Sequence, residues 1–234
     1  MKNGLFITFE GADGCGKTTQ IELLDKYLKY KGLETLITRE PGAKGLGVKL
    51  REILLNYEGE VSPKAESFLF LADRAQHVDC LIKPAITEGK ICLLYTSPSP
   101  RDGAPSRGLG DVYKRQAITE GKIVLCDRHT DSTVAYQGYG RELDIVQINY
   151  LNNLATGGLK PDLTIIFDID VETSMQRVGK NKDRMESAGV EFFNRVRCGY
   201  LEIAKQEPQR VKVINASDTI ENIHNQVVEL VNKL

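Results

Sequence analysis

Gly11-Ala12-Asp13-Gly14-Cys15-Gly16-Lys17-Thr18 is the stretch of this chain whose residue types and spacing most plainly do chemistry. It has the form G-x-x-x-x-G-K-[ST], in which glycines let the backbone curl so that successive N–H groups face phosphate oxygens. Lys17 reaches the β- and γ-phosphates of a nucleotide, and the Thr18 hydroxyl is a ligand for Mg²⁺. A glycine-rich turn with no ligand would need neither the lysine nor the hydroxyl. Such a loop identifies a nucleotide and leaves the reaction open.

Further candidates lie downstream. Arg39-Glu40-Pro41-Gly42 and Asp127-Arg128 each place a guanidinium beside a carboxylate. An Arg fork holds phosphate bidentately and a carboxylate holds Mg²⁺ through its water shell, whereas the plain alternative is an Arg–carboxylate pair capping a strand. Phe70 and Arg74 are four residues apart in AESFLFLADRAQH and share a helix face. Together they could stack on and hydrogen-bond to a base, but periodicity alone reads Phe68, Leu69 and Phe70 as core. Arg177, Lys180, Lys182 and Arg184 gather in a polar stretch that reads either as a basic lid over a transferring phosphoryl group or as a solvated turn.

The elements that must position these residues alternate. Strand-like runs are LFITFE (5–10), ETLITR (34–39), KIVLCD (122–127), LTIIFDI (163–169) and VKVIN (211–215), separated by helical patterns such as TTQIELLDKYLKYKG. That alternation predicts a parallel sheet covered by helices on both faces, with ligands at the carboxyl ends of the strands. The phosphate loop and both Arg–carboxylate pairs fall at such ends.

With 31 basic and 32 acidic residues the net charge is −1, so no global field draws in nucleic acid or an anionic membrane. The five cysteines form no C-x-x-C pair, which argues against a disulfide framework or zinc site and for a reducing, cytoplasmic setting. No stretch approaches the roughly 20 apolar residues of a membrane span.

The ordered set FEGADGCGKTT, TREPG, FLFLADRAQH, CDRHTDSTVAYQGYGR, PDLTIIFDID and FFNRVRCGYLEIA resembles the thymidylate kinases, within the nucleoside-monophosphate kinases. The resemblance implies an α/β, three-layer P-loop kinase fold on a five-stranded parallel sheet, one domain over residues 1–234, usually a homodimer. It implies transfer of the γ-phosphoryl of ATP to dTMP, with Mg²⁺. Gly11, Ala12, Asp13, Gly14, Cys15, Gly16, Lys17 and Thr18 would hold ATP phosphates, with Thr18 and Asp127 serving Mg²⁺ and Asp13 also approaching the sugar 3′-hydroxyl. Phe70 would stack on thymine, Arg74 would contact its carbonyl edge, Thr133 and Gln137 would line the base pocket, and Tyr136 would lie where a ribose 2′-hydroxyl would clash. Arg39 and Arg128 resemble acceptor-phosphate and transition-state ligands, with Glu40 nearby. The catalytic cations not supplied by the phosphate loop would come from a lid at 179–189, here Lys180, Lys182 and Arg184. Ala43-Lys44 departs from the usual REPGGT. A kinase for another nucleoside monophosphate, and a P-loop protein that binds nucleotide without turnover, are the competing readings.

Residues 92–116 stand outside that resemblance. AITEGKI occurs at 85–91 and again at 117–123, flanking LLYTSPSPRDGAPSRGLGDVYKRQ. Under one allowed codon choice for Cys92–Asp102, the reverse complement encodes Ser106–Gln116. Protein selection does not make one segment the antisense of another; inverted DNA ends do, and the DNA resembles transposon-end sequencing adaptors. The segment therefore reads as an assembly artefact with duplicated flanks, and deleting residues 92–123 restores LIKPAITEGKIVLCDRHTDS. In the chain as written, the second copy is expected to supply the strand ending at Asp127, with the first copy a competitor for that slot.

Overall fold

The computed structural model describes residues 4–88, 122–178, 184–185 and 188–234. Segment 92–116, Lys180 and Lys182 lie outside the described residues.

Five parallel strands form one sheet in the order β2-β3-β1-β4-β5: β1 Phe6–Glu10, β2 Thr35–Arg39, β3 Ile123–Asp127, β4 Leu163–Asp168 and β5 Val211–Asn215. The three central strands are buried almost throughout while β2 and β5 alternate with exposed positions, as expected when only the edges of a helix-covered parallel sheet meet water. Successive side chains sort to opposite faces. Ile7, Phe9, Leu125, Ile165 and Phe167 pack with Leu24 and Val227 from α1 (Lys17–Tyr30) and the last helix on one side. Phe6, Val124 and Cys126 pack on Val78 and Ile82 on the other.

Between β2 and β3 run α2 (Leu46–Asn56), α3 (Pro63–His77), a π-helical turn (Val78–Ile82) and α4 (Lys83–Glu88). Ser62 caps α3 by accepting from the Ala65 N–H, with Pro63 at the first helical position. Ala85–Glu88 of the first repeat is thus helical, and the second copy leads through Lys122 into β3 at Ile123, as the sequence predicts. The Lys122 N–H donates to the Ala85 carbonyl at 3.1 Å, which ties the entry to β3 to the helix that holds the start of the first copy.

After β3 come α5 (Thr130–Thr133), a π-helical segment (Val134–Gly140) and α6 (Ile145–Thr156), capped by Asp144 on the Val146 and Gln147 N–H groups. Then follow α7 (Val171–Val178), α8 (Val190–Gln206) and α9 (Ile220–Val231). α8 lies close against the π-helical segment: a Cβ on Gly140 would meet Phe192 at 2.6 Å, and one on Gly199 would meet Tyr139 at 2.7 Å. Among the described residues no helix is long and apolar enough to cross a membrane.

Candidate active site

β1 delivers the phosphate loop to the middle of the sheet. Gly14 and Gly16 take positive φ (75° and 93°), a conformation costly for any residue with a Cβ, and no side chain caps α1, so its first N–H groups remain for a ligand. Lys17 is buried, its ammonium donating to the Gly11 and Ala12 carbonyls at 3.2 and 2.9 Å and lying 3.9 Å from Asp13. Arg177, at the end of α7, donates to the Gly14 carbonyl at 3.4 Å.

Beside the loop lies a cavity of about 270 Å³ into which several elements converge. Asp13 and Thr18 come from the loop, Arg39 and Glu40 from the end of β2, and Phe70 and Arg74 from α3. Asp127 and Arg128 come from the end of β3, and Thr133, Tyr136 and Gln137 from the helical turns after it. Every residue assigned to the acceptor side from the sequence therefore lines one space. Phe68 is 58% exposed and Phe70 half-buried on the cavity wall, so the core reading of that triplet is corrected: α3 turns this face to the cavity and solvent.

The plain alternative for the two sequence-adjacent Arg–carboxylate pairs, a mutual ion pair capping each strand, is not the pairing found. β2 ends at Arg39 and β3 at Asp127, so Glu40 and Arg128 lie past the strand ends, where the turning backbone carries each to a partner distant in sequence. Glu40 pairs with Arg74 at 2.8 Å, both side chains 2% exposed. Arg74 also donates to Thr133 Oγ1 and Asn152 Oδ1, both at 2.6 Å, and to the His129 carbonyl at 2.9 Å. The Nδ1 atoms of His77 and His129 lie 2.8 and 3.0 Å from Glu40 Oε1. Burial would raise the Glu40 carboxyl, but Arg74 and then His129 outweigh it and hold it well below the usual carboxylate range. Burial lowers His129 against the opposing pull of Glu40.

Arg128 pairs with Asp13 of the phosphate loop at 2.7 Å. Burial of Asp13 is outweighed by Arg128 and Lys17, which bring its carboxyl down to about 2. Arg128 has φ 66°, a left-handed conformation that costs a non-glycine residue of order 1 kcal/mol or more. Its guanidinium lies over the Tyr136 ring, 5.0 Å from the centroid.

Asp127 Oδ1 is buried without a hydrogen-bond partner and shares the cavity with the Thr18 hydroxyl. An orphaned carboxylate oxygen next to a hydroxyl fits a hard, oxygen-seeking cation such as Mg²⁺. Arg184 is turned aside: it donates to Glu66 Oε2 at 2.7 Å and to the Leu54 carbonyl at 2.9 Å, while its neighbour Met185 reaches the cavity. Glu66, buried on α3, also takes Gln137 at 3.1 Å and Arg141 at 3.3 Å.

Sequence reasoning missed Arg51, Ser132 and Met185 on the cavity wall, and Glu10 and Tyr200 behind it. Ser132 sits within CDRHTDST, where the run of polar residues after a buried strand was the available signal. Glu10 and Tyr200 carry no such signal, because one ends an apolar strand and the other falls on the buried face of a helix.

The family model described as thymidylate kinase matches residues 9–95 and 111–227, leaving out 96–110, the middle of the segment flanked by the repeats. The chain is 40% identical over 229 residues to the thymidylate kinase of Desulfovibrio desulfuricans, covering 94% of this chain and 91% of that protein. To that of Pelotomaculum thermopropionicum it is 42% identical over 230 residues, with 97% and 92% covered. The crystal structure of thymidylate kinase from Ehrlichia chaffeensis superimposes with a TM-score of 0.69 at 33% identity, over 98% of this chain and 99% of that one. Matched by that family model over most of its length and by these relatives over nearly all of it, the chain belongs to the thymidylate kinase family.

Proposed function

We propose that this protein transfers the γ-phosphoryl group of ATP to dTMP, giving ADP and dTDP for dTTP synthesis. The observation that carries the reading is the cavity that brings Phe70, Arg74, Thr133 and Gln137 together with Asp13 and Thr18 of the phosphate loop and with Arg39 and Arg128.

An oxygen of the acceptor phosphate attacks the γ-phosphorus as the bond to the ADP oxygen breaks. That oxygen is already anionic, so positioning and charge neutralisation do most of the work. The loop N–H groups and Lys17 hold the donor phosphates, with Lys17 exchanging its loop carbonyls for phosphate oxygens. Thr18 and Asp127 would hold Mg²⁺, which when bound neutralises charge on the β- and γ-phosphates. Arg39 and Arg128 hold the acceptor phosphate, while Asp13 keeps Arg128 at the loop and meets the sugar 3′-hydroxyl. Phe70 stacks on thymine and Arg74, fixed by its four acceptors, offers a rigid edge to the base. The Tyr136 hydroxyl is buried without a hydrogen-bond partner, and the ring would lie where a ribose 2′-hydroxyl would clash. Arg184, with Lys180 and Lys182, belongs to the lid at 179–189 and would leave Glu66 to reach the transferring group.

A homodimer is part of the same reading. Val146, Tyr150 and Leu154 repeat every fourth residue along α6 and are 78%, 68% and 68% exposed, an apolar stripe suited to a second copy. The scattered cysteines support a cytoplasmic setting.

The test is ADP release in a coupled assay with a panel of nucleoside monophosphates. dTMP should be turned over best, and Lys17→Ala should lower kcat by orders of magnitude with the circular-dichroism spectrum unchanged. Faster turnover of another monophosphate, near-normal activity of the variant, or nucleotide binding with no turnover would overturn the reading.

A further inference from the structure

We propose that Glu10, Ser132 and Tyr200 act together as positioning residues for Arg128, fixing the direction from which its guanidinium meets the acceptor phosphate. The proposal rests on the acceptor-phosphate role given to Arg128 above.

Arg128 leaves β3 in a left-handed turn, with its own N–H donating to the Phe9 carbonyl at 3.0 Å. Its Nη2 donates to Asp13 and its Nη1 to two hydroxyls, Ser132 Oγ at 3.3 Å and Tyr200 OH at 3.2 Å. Both hydroxyls converge on one carboxylate oxygen behind them. Ser132 Oγ and Tyr200 OH each donate to Glu10 Oε2, the latter at 3.0 Å, and the two hydroxyl oxygens lie 2.8 Å apart. The other oxygen of Glu10 takes the His129 N–H at 2.8 Å. Glu10 is fully buried, Tyr200 is 3% exposed and Ser132 9%.

The proton count gives this set a direction. Each hydroxyl has one proton. Above pH 7, where Glu10 is ionised, the Ser132 hydroxyl donates to Glu10 and the Tyr200 hydroxyl donates to Glu10 or to Ser132. In either arrangement the hydroxyl oxygens turn lone pairs toward Arg128 Nη1, whose two N–H bonds find two acceptors. Burial and the adjacent Glu10 push the Tyr200 hydroxyl well above the ordinary phenol range, so it stays protonated and able to donate.

A buried carboxylate with two hydroxyls, one of them on Tyr200 of the apolar cluster that holds Tyr136, Phe192, Phe193 and Val196, is costly to bury, and well-packed apolar side chains there are often as stable or more so. Their joint aim at one cavity-lining guanidinium is what distinguishes positioning from a mere tie between β1, α5 and α8.

The test compares binding of dTMP with binding of thymidine, which lacks the phosphate, by titration calorimetry on the full chain. Wild-type protein should prefer dTMP. Tyr200→Phe keeps the ring and removes the hydroxyl; its dTMP Kd should rise about tenfold, the typical effect of losing a hydrogen bond to a charged group, while its thymidine Kd stays within about twofold. Ser132→Ala and Glu10→Gln should repeat the pattern, and either suffices if the other does not fold. Adding Tyr200→Phe to Arg128→Ala should cause no further loss of dTMP affinity. A parallel weakening of dTMP and thymidine in Tyr200→Phe, or a fully additional loss in the double variant, would overturn the proposal. Equal wild-type affinity for dTMP and thymidine would instead overturn the acceptor-phosphate reading on which it stands.

Discussion

Excising residues 92–123 should make this protein more stable, and the contact between the two AITEGKI copies shows why. The Lys122 N–H donates to the Ala85 carbonyl. In the shortened chain Ile91 would be followed directly by Val124, so Lys90 and Ile91 would occupy the positions now held by Lys122 and Ile123. Lys90 lies five residues after Ala85 with Gly89 before it. That is the 6→1 bond of a Schellman helix end, with glycine at the position that favours a left-handed backbone. The link between Glu88 and the residue that binds Ala85 would shrink from 33 residues (89–121) to Gly89 alone. Treating the removed stretch as a free loop, the closure entropy regained is about (3/2)RT ln 33, or ~3 kcal/mol. For a domain of this size that corresponds to a rise in Tm of about 6–12 °C. Urea unfolding followed by circular dichroism should give a higher midpoint at a similar slope. A lower midpoint, or failure to fold, would refute the reasoning, because it would mean that the removed stretch supports the sheet.

Two further outcomes follow from buried charge. Arg74→Met removes the guanidinium that pairs with the buried Glu40 carboxylate and should cost about 3–5 kcal/mol in urea unfolding at pH 7.5; adding Glu40→Gln should recover part of that, and strictly additive losses would count against the ion pair. Burial and then the charge of Asp131 raise the Glu10 carboxyl from 4.5 to about 7. Its contribution to stability is therefore full below pH 4.5 and lost as pH rises through 7, so Glu10→Gln should flatten the dependence of unfolding free energy on pH between 5 and 8. An unchanged slope in that window would show that Glu10 does not titrate there.

The strands were legible because a parallel sheet buried on both faces leaves a run of apolar letters, and all five runs became strands within a residue at either end. The phosphate loop was legible because its function demands glycines at fixed spacing. The partners of the site's charges were not. Arg128 meets Asp13 and Arg74 meets Glu40 across separations of 115 and 34 residues, and only the sheet order brings them together. Tyr200 was invisible for a different reason: helical periodicity assigns it correctly to the buried face but says nothing of where its hydroxyl points. The helical stretch holding Phe68 and Phe70 misled, because apolar residues facing a ligand space look the same in sequence as those facing a core.

Tyr136 joins three structures that are usually separate. Its ring lies beneath the Arg128 guanidinium and contacts Phe192, Phe193 and Tyr200 at centroid distances of 6.0, 6.4 and 6.4 Å, while the residue also lines the cavity. A mutation there alters cavity shape, the seat of a cation and the hold on α8 at once, so its effects cannot be selected one at a time. Position 136 therefore ties the shape of the cavity to the packing of α8, so that no substitution there changes one without the other.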